Sequence, residues 1–460
     1  MTAIERTATA AAPERFLQAG SHSAIEVRRI PLGEVRGWVD DREAGVIRHH
    51  SGRFFSIVGI AVDGGPARWS WHQPIIDQPD IGVLGALVRD RDGTPEILVQ
   101  AKVEPGNVNG LQAAPTVQAT SSNYSGVHGG RAVPYLELFL SASALGGSPT
   151  GRARVDREQS EQGSWFDCKS NRNMVVSAPA ELAECLGFTW MELPEVRRLL
   201  AVNDLVGMDM RTVLCCLESS LPAGPAQDVD SFAGALERSR HTLESALGSL
   251  ADAERALRRA RAAARLLVLR RPLTALTGWR RDGERITHDS GAFFDIIGVS
   301  VRAHGREVDA WDQPMLAAAG TGLVALLVCR VDGVLHLLMR FAVEPGLMET
   351  VELGPTVQAT PENYVHLPAA NRPAYLDAVL AADPASVRFD TVLSDEGGRL
   401  YHARSRHLVV EVDHHEPPPG HRWLTLGQVG AFVLRGHAVN MEGRSVLACL
   451  HSLVGRTDLR

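Results

Sequence analysis

Lysine is nearly missing from this 460-residue chain: of its 47 basic residues, 45 are arginine, and only Lys102 and Lys169 are lysine. Other scarcities exclude whole classes of function. Six cysteines (Cys168, Cys185, Cys215, Cys216, Cys329, Cys449) form no C-x-x-C pair and are too sparse for a disulfide scaffold at this length, so they read as reduced thiols. Basic residues are outnumbered by 54 acidic ones, a net charge of -7, which leaves no electrostatic case for a nucleic-acid partner. The apolar runs fall well short of a membrane span, and the first thirteen residues lack the basic start and apolar core of a signal peptide. A soluble, cytoplasmic protein with no membrane partner is expected. The signatures G-x-x-x-x-G-K-[ST], G-x-S-x-G and H-E-x-x-H are absent as well. Gly320 to Ala325 imitates a dinucleotide fingerprint but leads into a strand-like run, and so reads as a turn. Asp413, His414, His415, Glu416 and His421 lie in a proline-rich stretch without metal-ligand spacing, so no metal site is expected.

What the chain does have is itself, twice. Residues 101–124 and 341–364 match without gaps at 12 of 24 positions, through Val-Glu-Pro-Gly, Pro-Thr-Val-Gln-Ala-Thr and Asn-Tyr. The match extends upstream, where Trp71-His72-Gln73-Pro74 parallels Trp311-Asp312-Gln313-Pro314, and downstream, where Ser160-Glu161-Gln162-Gly163 parallels Ser394-Asp395-Glu396-Gly397. Arg211-Thr212-Val213-Leu214 likewise parallels Arg444-Ser445-Val446-Leu447. A period near 240 is too long for a solenoid, so each copy should be a whole domain. The expected division is an arm at 1–26, repeats at 27–219 and 268–460, and a helical linker at 220–267. Residues 1–13 read as disordered. Strand-like runs at 55–62, 82–88 and 96–100, echoed at 295–301, 322–329 and 334–340, mix with helices near 134–143 and 193–202 and a strand at 173–177. Each copy is therefore a mixed α/β (α+β) sheet domain. Leu236, Leu243, Leu250 and Leu257 at heptad spacing predict one long helix over 231–269, either packed on its own domains or pairing in a homodimer.

Within the duplicated block, Glu104, Thr116, Gln118 and Tyr124, with Thr356, Gln358 and Tyr364, offer carboxylate, hydroxyl, amide and phenol groups suited to a polar, uncharged ligand such as a sugar or nucleobase. Trp71 and Trp311 could stack on a flat ring; alternatively, the Thr and Gln side chains simply alternate outward on a strand. The diverged positions are more pointed. Lys102 faces Ala342, Lys169 faces Ala403, Asn171 faces Ser405 and Asn173 faces His407. An ammonium kept at just these two places suits chemistry that needs a compact, shiftable charge, which guanidinium does not supply. The first copy should carry the reaction.

These residues resemble the NDP-hexose 2,3-dehydratases of deoxysugar biosynthesis in antibiotic-producing actinomycetes. The stretches that carry the resemblance are 100–107, 115–124, Gln159-Ser-Glu-Gln-Gly163, Lys169-Ser-Asn-Arg-Asn-Met174 and Ser394-Asp-Glu-Gly-Gly-Arg399. The resemblance implies a doubled Nudix-like fold, although the helical Nudix box with its Mg²⁺ carboxylates is absent from both copies, which puts metal-dependent pyrophosphate hydrolysis in doubt. It also implies loss of water from dTDP-4-keto-6-deoxy-D-glucose without a cofactor, giving a labile 3,4-diketo sugar, and an NADPH-dependent 3-ketoreductase as pathway partner. In that chemistry Lys102 or Lys169 stabilises an enolate or acts as base, and Glu161 is the next carboxylate. Trp71, Glu104, Thr116, Gln118, Tyr124, Ser160, Gln162, Gly163, Asn171, Arg172 and Asn173 are expected to contact the nucleotide sugar. Trp311, Thr356, Gln358, Tyr364, Gly397, Gly398, Arg399 and Arg406 join them from the second copy, the arginines suiting the diphosphate.

Overall fold

The computed structural model describes residues 13–64, 69–120, 131–142, 152–222, 224, 231–304, 308–364, 367–368 and 372–455. The expected disorder of the N-terminus therefore lies, except for Pro13, outside the described residues. The expected mixed α/β character is seen. In the first half, strands Ala153–Ser160, Ser170–Ser177, Gly82–Arg91, Thr94–Val103 and Phe188–Glu192 lie side by side in that order, with Leu111–Ala114 and Val117–Ala119 completing seven strands. In the second half, Val387–Ser394, Arg404–Glu411, Gly322–Val331, Val334–Val343 and His421–Thr425 repeat the order, completed by Val351–Gly354 and Val357–Ala359. Each sheet is mixed, because Ser170–Ser177 runs parallel to Gly82–Arg91 and antiparallel to Ala153–Ser160.

The continuous apolar run at 82–88 follows from burial on both faces. Val83 and Leu87 enter one core cluster, while Leu84, Ala86 and Val88 enter another. The second cluster is shared by both halves and holds helices Met208–Ser220 and Met441–His451 against each other. Across this contact the repeated arginines answer each other. Arg211 Nε donates to Ser445 Oγ at 2.6 Å and Arg444 Nε to Thr212 Oγ1 at 2.7 Å. Arg211 also caps the Ser394 carbonyl, and Arg444 the Ser160 carbonyl. Both guanidinium groups are fully buried, and these bonds offset their desolvation.

The halves also exchange strands. Ala24–Ile30 pairs with Phe294–His304, and Leu266–Arg271 pairs with Ser56–Gly64, so each half adds an edge to the other's smaller sheet. The Glu-Pro-Gly turns interlock in the same way. Gly106 N donates to Gly397 O at 2.7 Å and Gly346 N to Gly163 O at 2.8 Å. A Cβ at Gly106 would lie 1.8 Å from Leu400 O, and one at Gly346 1.8 Å from Phe166 O, so backbone contact between the halves demands glycine there.

The long helix expected over 231–269 is not formed. Phe232–His241 and Leu250–Ala263 are separate helices joined by a hairpin, Glu244–Ser245 against Gly248–Ser249. The break has a local cause: Gly248 takes a φ of 131°, and Ser249 with Asp252 makes a capping box that starts a new helix. Leu236 and Leu257 are buried in the shared core while Leu243 is exposed. With no continuous seam left, the heptad argument for a homodimer falls too. The expected arm also has structure, since Phe16 is fully buried and the exchanged strand begins at Ala24. Among the described residues, no helix is long and apolar enough to cross a membrane.

Candidate functional site

The interlocked turns enclose a cavity of about 500 Å³, within the usual range for ligand sites. Both halves line it. From the first come Trp38, His49, Phe54, Gln78, Lys102, Glu104, Gln118, Glu161, Lys169, Asn171 and Asp209; from the second come Trp311, Asp312, Gln313, Glu396, Gly398 and Arg399. The lining combines the rings of Trp38, His49, Phe54 and Trp311 and the exposed residues His50 and Ser51 with the buried charged residues Lys102, Glu161, Lys169 and Asp209.

Each charged group is placed by its backbone. Lys102 ends strand Thr94–Val103, is 7% exposed, and puts its Nζ 3.7 Å from Glu104 Oε1, which also accepts from Gln118 Nε2 at 3.0 Å. Lys169 precedes strand Ser170–Ser177, is 3% exposed, and donates to the carbonyls of Asp80 and Ser170, with Asp80 Oδ1 at 3.9 Å. Burial is the main reason its pKa falls from 10.5 to about 8; Asp80 opposes the fall and Arg399 reinforces it. Glu161 accepts from Asn171 Nδ2 at 2.7 Å and from Gln162 N at 3.3 Å. Burial and then the charge of Glu396 raise its pKa, against Lys169, Arg399 and Arg444. Asp209 opens the helix Met208–Ser220 and is raised well above the usual carboxylate range, first by burial and then by Glu161, Glu396 and Glu104. Gly82 keeps the space open, because a Cβ there would lie 2.8 Å from Asn171 Oδ1.

The second half supplies a clasp. Glu396 accepts from the backbone N–H groups of Gly398 and Arg399 and from Arg399 Nη1 at 2.9, 2.7 and 2.8 Å. Arg399 Nη2 then donates to Gln78 Oε1 of the first half at 2.7 Å. Burial alone would lower the Arg399 pKa, but Glu396 beside it raises it, so the guanidinium stays charged. Trp311 Nε1 donates to Gln313 Oε1, and Gln313 Nε2 to Gly398 O, which ties the ring to the clasp. Asp312 is held ionised chiefly by its hydrogen bond from Arg36, which crosses from the first half at 2.7 Å.

Of the residues singled out in the sequence, Lys102, Lys169, Glu161, Glu104, Gln118, Asn171, Trp311, Gly398 and Arg399 meet in this cavity. Others are placed elsewhere, for identifiable reasons. Thr116 Oγ1 accepts from Leu87 N and donates to Leu98 O, and Thr356 repeats this with Leu327 and Leu338, so both hydroxyls bridge strands where they part. Arg172 forks onto Asp156 and Arg406 onto Asp390, which commits both guanidinium groups to neighbouring strands. Asn173 bonds to the Asn171 carbonyl and Thr212, and Ser160 to Glu352 and His437. Trp71 bonds to Gln73 and packs beside Ile60, Val62 and Ile75. Gly163 and Gly397 receive the opposite Glu-Pro-Gly turns. Tyr124 lies outside the described residues.

Gln162, Gln358 and Tyr364 belong to the counterpart region of the second half. There Asn440 Nδ2 donates to both Glu344 and Gln358, Gln162 donates to Glu442, and Tyr364 lies near Arg340. Trp165 stands where Arg399 stands in the first site, as Trp165 O accepts from Ile76 N just as Arg399 O does from Leu316 N. Sequence reasoning missed Asp209, Glu396, Gln78 and Asp312. Asp209 had a signal: it precedes the repeated Arg211 by two residues, as Glu442 precedes Arg444. Glu396 lies within Ser394-Asp-Glu-Gly-Gly-Arg399, where its repeat counterpart is the uncharged Gln162.

The family model for NDP-hexose 2,3-dehydratase matches residues 10–217 and 250–450. A dTDP-4-dehydro-6-deoxy-alpha-D-glucopyranose 2,3-dehydratase of Saccharopolyspora spinosa is 43% identical over 94% of this chain and 89% of its own. A protein of the same name from Streptomyces violaceoruber is 43% identical over 95% and 96%, and one from Amycolatopsis orientalis 39% identical over 94% and 87%. The chain belongs to the NDP-hexose 2,3-dehydratase family.

Proposed function

We propose that this protein is a hydro-lyase that removes the carbon 2 hydroxyl of dTDP-4-keto-6-deoxy-D-glucose, giving a 3,4-diketo-2,6-dideoxy sugar nucleotide for deoxysugar and antibiotic biosynthesis. The observation that carries this reading is that the chain's two lysines, 67 residues apart, line one cavity beside the Glu161 and Asp209 carboxyl groups, whose pKa values burial raises. The 4-keto group acidifies the proton on carbon 3. Lys169, whose lowered pKa makes the free amine accessible, takes that proton, and the Lys102 ammonium stabilises the enolate oxygen on carbon 4. Asn171, Gln118 and Glu161 hold sugar hydroxyls, the rings of Trp38 and Trp311 take the thymine, and Arg399, which lines the cavity, takes the diphosphate.

The repeated sequence and strand order support two Nudix-like units at 27–219 and 268–460, with the first carrying the chemistry and the second completing its wall. The 3,4-diketo product is labile, so an NADPH-dependent 3-ketoreductase is its expected consumer in the same cytoplasmic compartment. The test is mass spectrometry of purified protein with freshly made dTDP-4-keto-6-deoxy-D-glucose, with and without reductase, NADPH and a chelator. A product lighter by one water, trapped by the reductase and insensitive to chelation, supports the dehydratase. Chelator-sensitive release of dTMP would identify a Nudix-type hydrolase instead, and intact substrate would identify a binding subunit.

A further inference from the structure

Asp209 is 8% exposed and lines both the main cavity and a narrow cleft continuous with it through Lys102, Glu104, Gln118 and Glu396. Its Oδ1 is buried without a hydrogen-bond partner among the described residues. A buried carboxyl in that state is costly unless a ligand completes it.

The second half shows what was given up. At the matching position Glu442 Oε1 receives a hydrogen bond from the Gln162 amide at 3.2 Å, while its Oε2 is buried without a partner among the described residues. In the first site the counterpart of that amide is Glu396 of the second half, a carboxylate whose oxygens are already taken by Gly398 N, Arg399 N and Arg399 Nη1. Glu396 has nothing to donate, and aspartate is one methylene shorter than glutamate, so Asp209 is left facing the cavity. The other carboxyl that burial raises, Glu161, accepts from Asn171 on one oxygen and from Gln162 N on the other.

We propose that Asp209 is the catalytic acid that protonates the departing carbon 2 hydroxyl and then helps to convert the enol into the diketone. This rests on the dehydratase reading and adds the residue that completes its proton balance. The Lys169 amine takes the carbon 3 proton, the electron pair becomes the C2=C3 bond, and the C2–O bond breaks as the Asp209 carboxyl gives its proton to form water. The intermediate is then an enol carrying its hydroxyl on carbon 3. The Asp209 carboxylate takes that hydroxyl proton while the Lys169 ammonium protonates carbon 2. Both residues return to their starting state, and the net change is the loss of one water. Crowding by Glu161, Glu396 and Glu104, added to burial, keeps the Asp209 proton in place before substrate arrives, with Lys102 pulling the other way.

The test compares Asp209→Asn with wild type on two substrates, the natural one and an analogue with fluorine in place of the carbon 2 hydroxyl, since fluoride leaves without full protonation. Exchange of the carbon 3 proton with deuterated water is followed in parallel. The expected result is a loss of water elimination of about a hundredfold or more, with fluoride release within about tenfold of wild type and carbon 3 exchange retained. Retained exchange also reports an intact fold. A uniform fall in all three rates, or wild-type water loss by Asp209→Asn, would overturn the assignment. If wild type itself fails to release water, the dehydratase reading fails, whatever Asp209 does.

Discussion

Lys169→Arg is the substitution that most sharply separates a base from a mere positive charge. The Lys169 ammonium falls from 10.5 to about 8, chiefly through burial, which corresponds to roughly 3 kcal/mol in favour of the neutral amine relative to a solvated lysine. Guanidinium cannot deprotonate in the working range. In the wild type the reactive form is the free amine, so kcat/KM should rise with pH and level off above an inflection near 8. At pH 6 only about one amine in a hundred is neutral, so the rate should be about 100-fold below its plateau. Quenched initial rates read by mass spectrometry across pH 6 to 9 test this, and Lys169→Arg should show background turnover at every pH. The same shift affects stability. Between about pH 8 and 10.5 the unfolded chain holds a proton that the folded protein has lost, so the cost of burying Lys169 is full below 8 and fades as pH rises. Wild type should therefore gain stability relative to Lys169→Met between pH 7 and 9 in urea titrations. A flat rate profile from pH 6 to 9, or wild-type turnover by Lys169→Arg, would refute the base assignment.

Three further substitutions probe other parts of the structure. Lys102→Ala should cut kcat by about a hundredfold or more, because it removes the charge facing the enolate; it should also slow carbon 3 exchange, which sets it apart from Asp209→Asn. Gly106→Ala places a Cβ 1.8 Å from Leu400 O, so the interlock must shift, at a cost of roughly 1–3 kcal/mol in urea unfolding, and turnover should fall as the Glu396–Arg399 clasp leaves the cavity. Arg444→Met removes the donors to Thr212 Oγ1 and to the carbonyls of Ser160 and Val439 in the shared core, leaving Thr212 only its bond to Asn173. It should destabilise by about 3 kcal/mol or more, measured by the same titration.

The doubling and its strands were legible because repeated turns and β-branched runs encode local geometry directly. The exchange of Ala24–Ile30 and Leu266–Arg271 was not, since both strands precede similar Pro-Leu segments and either smaller sheet offers each an equivalent edge. The heptad leucines misled because the stop signal, Gly248 with Ser249 and Asp252, is local and weak beside a seven-residue pattern. In the site, divergence between the copies was a better guide than retention. Lys102, Lys169 and Asn171 differ between the halves and line the cavity, whereas the shared Thr116 and Thr356 brace strands. Asp209 and Glu396 were hidden because each has an acidic or amide counterpart, and only the packing shows that Glu442 receives an amide hydrogen bond that Asp209 Oδ1 lacks.

The most direct test of elimination at carbon 2 uses dTDP-4-keto-6-deoxy-D-glucose carrying heavy oxygen on that carbon, with the 3-ketoreductase and NADPH present to trap the product. If the cavity performs the proposed reaction, the heavy oxygen leaves as water, the trapped dideoxy sugar carries none of it, and the Lys169→Arg protein releases none. Heavy oxygen retained in the trapped product, or labelled substrate recovered intact from the wild-type protein, would contradict it.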